Sequence, residues 1–229
     1  MAILQKRLDW VDMSKGLSIF LVVMMYAAAS VGEDTGGISL FHWAIAFATP
    51  FRMPEFFLIS GLFLSQVIDR PWRGFADRRV VHYLYFYALW AIIHIVLATN
   101  PFGALEQLGW AVVQPYGVLW FIYMLAVVSA VTKVLHMLRA PVWGVFAVGA
   151  ILQMAVIHTG AYAIDQFAAY FVFFYAGFVL APHLFRLTAW ATSNNALALV
   201  GLLIWAILNT ALVFSPGFAM DPIHPVMGL

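Results

Sequence analysis

The chain has 229 residues, of which 65% are hydrophobic and only 9% are charged. Because a soluble globular domain carries about 25% charged residues, this composition excludes such a domain and predicts an integral membrane protein. The net charge of +1 gives no electrostatic reason to expect nucleic-acid binding, and the absence of cysteine excludes disulfides, thiolate metal sites and a cysteine nucleophile.

Apolar runs along the chain predict an all-α transmembrane bundle of about seven spans. Each run is close to the ~17–25 residues that a helix needs to cross the hydrocarbon core of a bilayer. The second run is longer, which is consistent with tilt or with a break at its prolines. Segment 99–115 favours a short re-entrant or interfacial helix, given Leu105, Leu108 and Trp110. The predicted spans are 16–32, 41–68, 80–98, 116–133, 142–158, 167–182 and 196–214.

Basic residues in the connections between these runs predict the orientation of the chain. Ten of the eleven Lys and Arg residues fall in alternate connections, and the eleventh lies inside the second run. Since cytoplasmic loops of membrane proteins are enriched in Lys and Arg, we expect the N-terminus inside and the C-terminus outside. The ten residues are Lys6, Arg7, Lys15, Arg70, Arg73, Arg78, Arg79, Lys133, Arg139 and Arg186.

The second run contains two charged residues, Arg52 and Glu55, beside Pro50 and Pro54. A charge at the centre of a membrane helix costs about 2.5–3.5 kcal/mol on insertion scales, and such residues usually face a bundle interior or a polar cavity. The prolines remove backbone donors, which is tolerated at this depth only where protein or a cavity satisfies the freed carbonyls. We therefore expect the functional site in this run.

Tyr26 in the first run is predicted to lie at a depth similar to that of Arg52 and Glu55. It follows Lys15 by eleven residues, which places it about 16 Å deeper than the cytoplasmic interface. Ser60 lies somewhat nearer the cytoplasm on the second run, which returns antiparallel. The tyrosine, the two charged residues and the serine are thus predicted to line one polar pocket. The alternative is a buried structural pair of Arg52 and Glu55 beside a core phenol.

A basic and aromatic segment opens the third run. Arg78 and Arg79 are followed by aromatic residues that extend from His82 to Trp90. These rings are typical of an interfacial aromatic belt. The functional alternative is a cytoplasmic mouth for an anionic, ring-bearing ligand, because arginine holds phosphates bidentately and aromatic rings stack on a base. Lys15 would contribute to the same mouth.

The histidines and one tryptophan have simpler interpretations. His42, His94 and His158 lie towards the predicted outer ends of their runs, but no metal-ligand spacing links them. We therefore expect interfacial or core histidines and no metal site. Trp120 is expected to pack at the start of a helix, with a substrate-facing role as the alternative.

Several segments together resemble the acyltransferase-3 family, whose members are multi-span membrane enzymes that O-acylate bacterial glycans and other acceptors. The likeness is strongest over residues 7–98, and within the family the sequence is most similar to a poorly characterised bacterial inner-membrane branch. The FFxxSG element in a second span is fairly specific when it follows the family's first-span pattern. The segments are Asp12–Gly16, Ile19–Met25, Phe56–Gly61 and Arg78–Arg79.

The resemblance implies transfer of an acyl group from cytoplasmic acyl-CoA to a hydroxyl of a glycan or another cell-envelope acceptor, without a bound cofactor. It also implies a multi-pass protein of the bacterial inner membrane, surrounded by lipid. The implied site residues are Lys15, Arg78 and Arg79 for the CoA phosphates, Arg52 for the acyl carbonyl, Glu55 and Ser60 for support of the pocket by hydrogen bonds, and Tyr26 for the acceptor-activating position.

Two features depart from the family pattern. Tyr26 stands where the family has a histidine that acts as general base, after the basic position that Lys15 holds. A phenol with an ordinary pKa near 10 is protonated at neutral pH and cannot serve as that base. The family core usually has about ten spans, so the chain is interpreted as a single acyltransferase-3-like domain, 1–229, that is incomplete at its C-terminus.

Two other classes of function stay open. A non-catalytic membrane protein that binds a lipid or a partner is favoured by Tyr26 and by the missing spans. A small-solute transporter is a weaker alternative, since discontinuous helices with midplane charges are typical of transporters. The chain has no detectable repeat of two halves, which counts against transport.

Overall fold

A computed structural model describes residues 9–35, 40–98, 101–155 and 157–215. Within these ranges the chain forms helices and no strand, which confirms the all-α class. A π-helical turn, Ala76–Val81, precedes α4, and a 3-10 turn, Gly117–Leu119, precedes α6. The α-helices are α1 Asp9–Thr35, α2 Leu40–Leu64, α3 Trp72–Phe75, α4 His82–Ala98, α5 Pro101–Ala111, α6 Trp120–Met137, α7 Val142–Met154, α8 Tyr162–Ser193 and α9 Asn195–Val213.

Every predicted span overlaps a helix, but the helices differ in their ability to cross a bilayer. The α7 helix has 13 residues and is therefore about 20 Å long, shorter than a hydrocarbon core of about 30 Å. Seven crossings and the orientation of the termini stay predictions, and Lys6 and Arg7 lie outside the described residues. Four helices of the described ranges are long and apolar enough to span: Trp72–Ala98, Gly117–Met137, Tyr162–Ser193 and Asn195–Val213.

Two helices extend beyond the runs that predicted them. The α6 helix continues to Met137, so Lys133 belongs to the helix and not, as predicted, to the connection that follows it. The α8 helix runs for 32 residues, about twice the predicted run. Hydropathy detects only the apolar part of a helix, whereas α8 continues through polar residues whose side chains bond to its own backbone. Thr188 Oγ1, for example, donates to the carbonyl of Leu184 at 2.9 Å.

The described residues group into two compact units, one made of those up to 56 and from 182 onward, the other of residues 57–181. In the first unit, α1 packs against α2 in a buried cluster that includes Met25 and Ile45. The α9 helix also packs against α2, where the ring of Trp205 lies 4.9 Å from the ring of Phe51 in an edge-to-face arrangement.

A close crossing of α2 and α8 holds the second unit together. An ideal Cβ on Gly61 would lie 1.9 Å from the carbonyl oxygen of Phe174, and one on Gly177 would lie 1.9 Å from that of Leu58. The two backbones approach so closely only because both residues lack a side chain, as is common where membrane helices pack. The glycine of the FFxxSG element therefore has a packing role.

The segment predicted as a re-entrant or interfacial helix forms α5, which folds back along α4. The part of α4 from Tyr87 to Ala98 and the part of α5 from Pro101 to Ala111 are each about 15 Å long, so the end of α5 returns to the level of Tyr87. The Tyr87 hydroxyl donates to the carbonyl of Ala111 at 2.6 Å and accepts from the backbone N–H of Tyr116 at 3.1 Å. One phenol thus satisfies two backbone groups of an irregular segment that would be costly to leave unbonded in a membrane.

Candidate functional site

The site predicted in the second run lies on α2, which passes through Pro50 and Pro54 as one continuous helix. Of the two alternatives for this long run, tilt or a break at its prolines, the break is absent; polar side chains bond to two carbonyls in the turn before Pro50. Thr49 Oγ1 donates to the carbonyl of Ile45 at 2.9 Å, and Asn209 Nδ2 of α9 donates to the carbonyl of Phe47 at 2.9 Å. These two carbonyls lie on either side of that of Ala46, the one that Pro50 leaves without its helical donor, and the bond from Asn209 ties this turn of α2 to α9.

Arg52 is buried within this helix. Its side chain is only 5% exposed, and its Nε and Nη1 atoms are fully enclosed. A guanidinium that faced lipid tails or bulk water would be exposed, so this placement agrees with a charge directed into the protein. Taking it out of water is costly, which marks Arg52 as the most distinctive charged group of α2.

The structure brings Tyr26 of α1 within electrostatic range of Arg52. Tyr26 remains 39% exposed, so its ring lies at the border of the helix packing and is not sealed inside it. Glu55 is half-buried and lies one turn beyond Arg52 on α2. Residues three apart on a helix lie on neighbouring parts of one face, so the carboxylate is directed to the same side of α2 as the guanidinium.

Ser60 lies about two turns beyond Arg52, in the part of α2 that belongs to the second unit. It is buried, and 3.6 residues per turn place it about 80° around the helix from Arg52. Its neighbour in the motif, Phe57, is fully buried and stacks on Tyr170 with ring centroids 5.0 Å apart. Trp120 also stacks on Tyr170, at 5.6 Å, which supports the packing interpretation of that tryptophan.

The two arginines predicted to bind phosphates differ in their surroundings. Arg78 is exposed on the π-helical turn. The Arg79 guanidinium instead donates to the carbonyl of Phe63, in the last turn of α2, and to the hydroxyl of Tyr83, each at 3.3 Å. Arg79 therefore has a structural role that the sequence pattern did not suggest. Lys15 is half-buried on α1, in the first unit.

The aromatic run of α4 combines belt residues with a core residue. Tyr85 and Trp90 are exposed, as expected for an interfacial belt, whereas Tyr87 is buried and bonded to the backbone around α5. No sequence signal distinguished Tyr87 from its neighbours. Asn209, by contrast, was detectable as the single amide in the apolar run 196–214.

No curated protein and no solved structure matches the chain significantly. A family model described as an acyltransferase domain matches residues 8–228, which extends the likeness seen over residues 7–98 to nearly the whole chain. The match, the buried arginine of α2 and the apolar helices together indicate a multi-pass membrane protein with acyltransferase ancestry. The chain belongs to the acyltransferase-3 family of membrane acyltransferases.

Proposed function

We propose that the protein transfers an acyl group from cytoplasmic acyl-CoA to a hydroxyl of a glycan or another cell-envelope acceptor, in the bacterial inner membrane. The acceptor oxygen forms a bond to the acyl carbonyl carbon, the carbon–sulfur bond breaks, and the hydroxyl proton is finally carried by the released CoA thiol. Family membership supports the reaction class.

The observation that carries this proposal is the burial of Arg52 within electrostatic range of Tyr26. Negative charge develops on the acyl carbonyl oxygen during attack, and a fixed cationic donor in a low-dielectric setting stabilises that charge more than water does. Arg52 would supply this donor. Glu55 would support the pocket by hydrogen bonds, and Tyr26 would hold the acceptor hydroxyl near the carbonyl.

Arg52→Ala tests this role. Removal of one donor from an oxyanion site typically costs about 10²–10³ in kcat, so purified Arg52→Ala protein should lose transfer by at least about 100-fold. Arg186→Ala is the matched control, since it removes the same charge from the exposed end of α8. Both variants should keep the unfolding temperature of the parent, and an unchanged rate for folded Arg52→Ala would refute the role.

A second experiment tests whether acyl-CoA is the donor, independently of the role of Arg52. We expect transfer from acyl-CoA, weaker transfer from the same acyl group on pantetheine, which lacks the nucleotide phosphates, and none from a free fatty acid. Equal rates with acyl-CoA and acyl-pantetheine would remove the role assigned to Lys15, Arg78 and Arg79. Transfer only from a donor that is not a CoA thioester would retain the reaction class and refute the donor.

A second candidate function is favoured by Tyr26 itself. A protonated phenol in the place of a general base suits a non-catalytic relative that binds a lipid or a partner. Tyr26→His separates the two functions: restoration of a base contributes about 10²–10⁴-fold to proton transfer, so the variant of an acyltransferase should be faster than the parent. If neither protein transfers an acyl group from any donor while both remain folded, the binding function is favoured.

A further inference from the structure

The last turn of α2 and the connection that follows it present several backbone carbonyls, which nearby and distant groups satisfy. The last four carbonyls of any helix lack an intrahelical donor. Here the carbonyl of Leu62 accepts from Ser65 Oγ at 2.7 Å, and that of Phe63 accepts from Arg79 Nη2 at 3.3 Å. The carbonyl of Leu64 accepts from the N–H of Val67 at 3.0 Å.

Lys133 of α6 completes this set, although it is 63 residues or more away in sequence. Its side chain is only 5% exposed. Its Nζ donates to the carbonyl of Ile68 and, at 3.0 Å, to the carbonyl of Arg70. The same ammonium lies 5.5 Å from the ring centroid of Phe75, in cation–π geometry. All three contacts are to the turn that follows α2 or to α3.

A buried ammonium needs a reason, since an apolar side chain of similar size would pack there without a desolvation cost. Here the ammonium donates to two backbone carbonyls of the connection, and hydrogen bonds of this kind are what a buried charge requires. Close by, Nε2 of His136 lies 3.1 Å from a carboxylate oxygen of Asp69, which ties the same turn to the same helix. The last two turns of α6 thus hold the connection between α2 and α3 at several points.

This connection leads directly into the residues assigned to the donor phosphates. Beyond Phe75 the chain continues without interruption into the π-helical turn Ala76–Val81, on which Arg78 is exposed. Arg79 of that turn is itself held by the end of α2 through the carbonyl of Phe63. The connection that Lys133 ties to α6 therefore contributes to the position of Arg78, together with the direct packing of the π-helical turn against α4 and α6.

We propose that Lys133 is a positioning residue for the cytoplasmic donor site: it fixes the α2–α3 connection and thereby holds Arg78 where the nucleotide phosphates of an acyl-CoA bind. This inference rests on the proposed function for its ligand. In this proposal Lys133 and Arg79 hold the phosphate site in position, and Arg78 contacts the phosphate.

The test compares Lys133→Met with Lys133→Arg and with Arg139→Met. The last variant is the matched control, because it removes one positive charge from an exposed position just beyond the same helix. A hydrogen bond to a charged group contributes enough for its loss to change an equilibrium by about tenfold. Lys133→Met should raise the KM for acyl-CoA about tenfold at nearly unchanged kcat, with partial rescue in Lys133→Arg and no change in Arg139→Met.

A comparison of acyl-CoA with acyl-pantetheine separates an effect on the phosphate site from a general loss of stability. The KM for acyl-pantetheine, which has the thioester but no nucleotide phosphates, should be the same in Lys133→Met and in the parent. A KM for acyl-CoA that does not change in Lys133→Met overturns the inference. An equal rise for both donors also overturns it, because damage that is not specific to phosphate would then explain the effect.

Limited proteolysis gives a second readout that needs no activity. Trypsin cleaves after Arg73, an exposed residue of α3, and a released connection should be cut about tenfold faster in Lys133→Met than in the parent or in Arg139→Met. Equal cleavage rates would refute the proposal that Lys133 holds the connection between α2 and α3. If the parent protein does not use acyl-CoA at all, the proposed donor fails, and the trypsin rates still decide whether Lys133 holds the connection.

Discussion

The crossing of α2 and α8 allows a prediction whose size follows from the geometry. In Gly177→Ala the new Cβ would lie 1.9 Å from the carbonyl oxygen of Leu58 and 2.7 Å from its carbon. An ordinary contact begins at about 3.4 Å, so the two helices would have to separate by about 1.5 Å. The atom in the way belongs to the backbone of a helix and cannot rotate aside, unlike the end of a flexible side chain.

Overpacking of a well-packed core usually costs about 1–3 kcal/mol, and a rigid backbone obstacle places this case at the upper end. We therefore expect Gly177→Ala to lower the free energy of unfolding by at least about 3 kcal/mol. Alanine is favoured over glycine in a helix by about 0.5–1 kcal/mol, too little to offset the collision. Gly201→Ala on α9 is the control, because its Cβ would meet open space.

The assay is reversible unfolding of the detergent-solubilised protein in increasing SDS, followed by circular dichroism. Gly61→Ala should destabilise to a similar extent, since its Cβ would lie 1.9 Å from the carbonyl oxygen of Phe174. The double variant should cost less than the sum of the two, because one separation of the helices relieves both collisions. Equal midpoints for Gly177→Ala and Gly201→Ala would refute the close crossing.

Three further predictions concern single side chains. Tyr87→Phe leaves two backbone groups near α5 without their phenol and should lower the free energy of unfolding by about 1–3 kcal/mol, measured by the same SDS titration; a loss below 0.5 kcal/mol would contradict it. Asn209→Leu removes the donor to the α2 carbonyl before Pro50 and should lower kcat several-fold, whereas Thr210→Val on the same helix should not. Arg78→Ala should raise the KM for acyl-CoA without a change in the unfolding midpoint. Arg79→Ala should raise this KM and also lower the unfolding midpoint. Identical effects of the two variants on the midpoint would refute the structural role of Arg79.

The sequence predicted the helices well because span formation depends mainly on local composition. Each apolar run overlaps a helix, and a charge in the apolar run 41–68 directed attention to Arg52, which the structure buries within electrostatic range of Tyr26. Helix ends were predicted less well. Lys133 was placed in a connection because hydropathy falls at a lysine even where the helix continues.

The chain's composition and its apolar runs determined by themselves that the protein is a helical membrane protein, its short motifs resembled the acyltransferase-3 family, and its charge pattern identified the residues worth examining. Only the tertiary structure decided what each polar group contacts: the α2 carbonyl that Asn209 binds, the backbone groups that Tyr87 satisfies, and the connection that Lys133 holds. The physical reason is that hydropathy adds up over neighbours in sequence, whereas a hydrogen bond or a close backbone contact depends on which distant helix packs alongside.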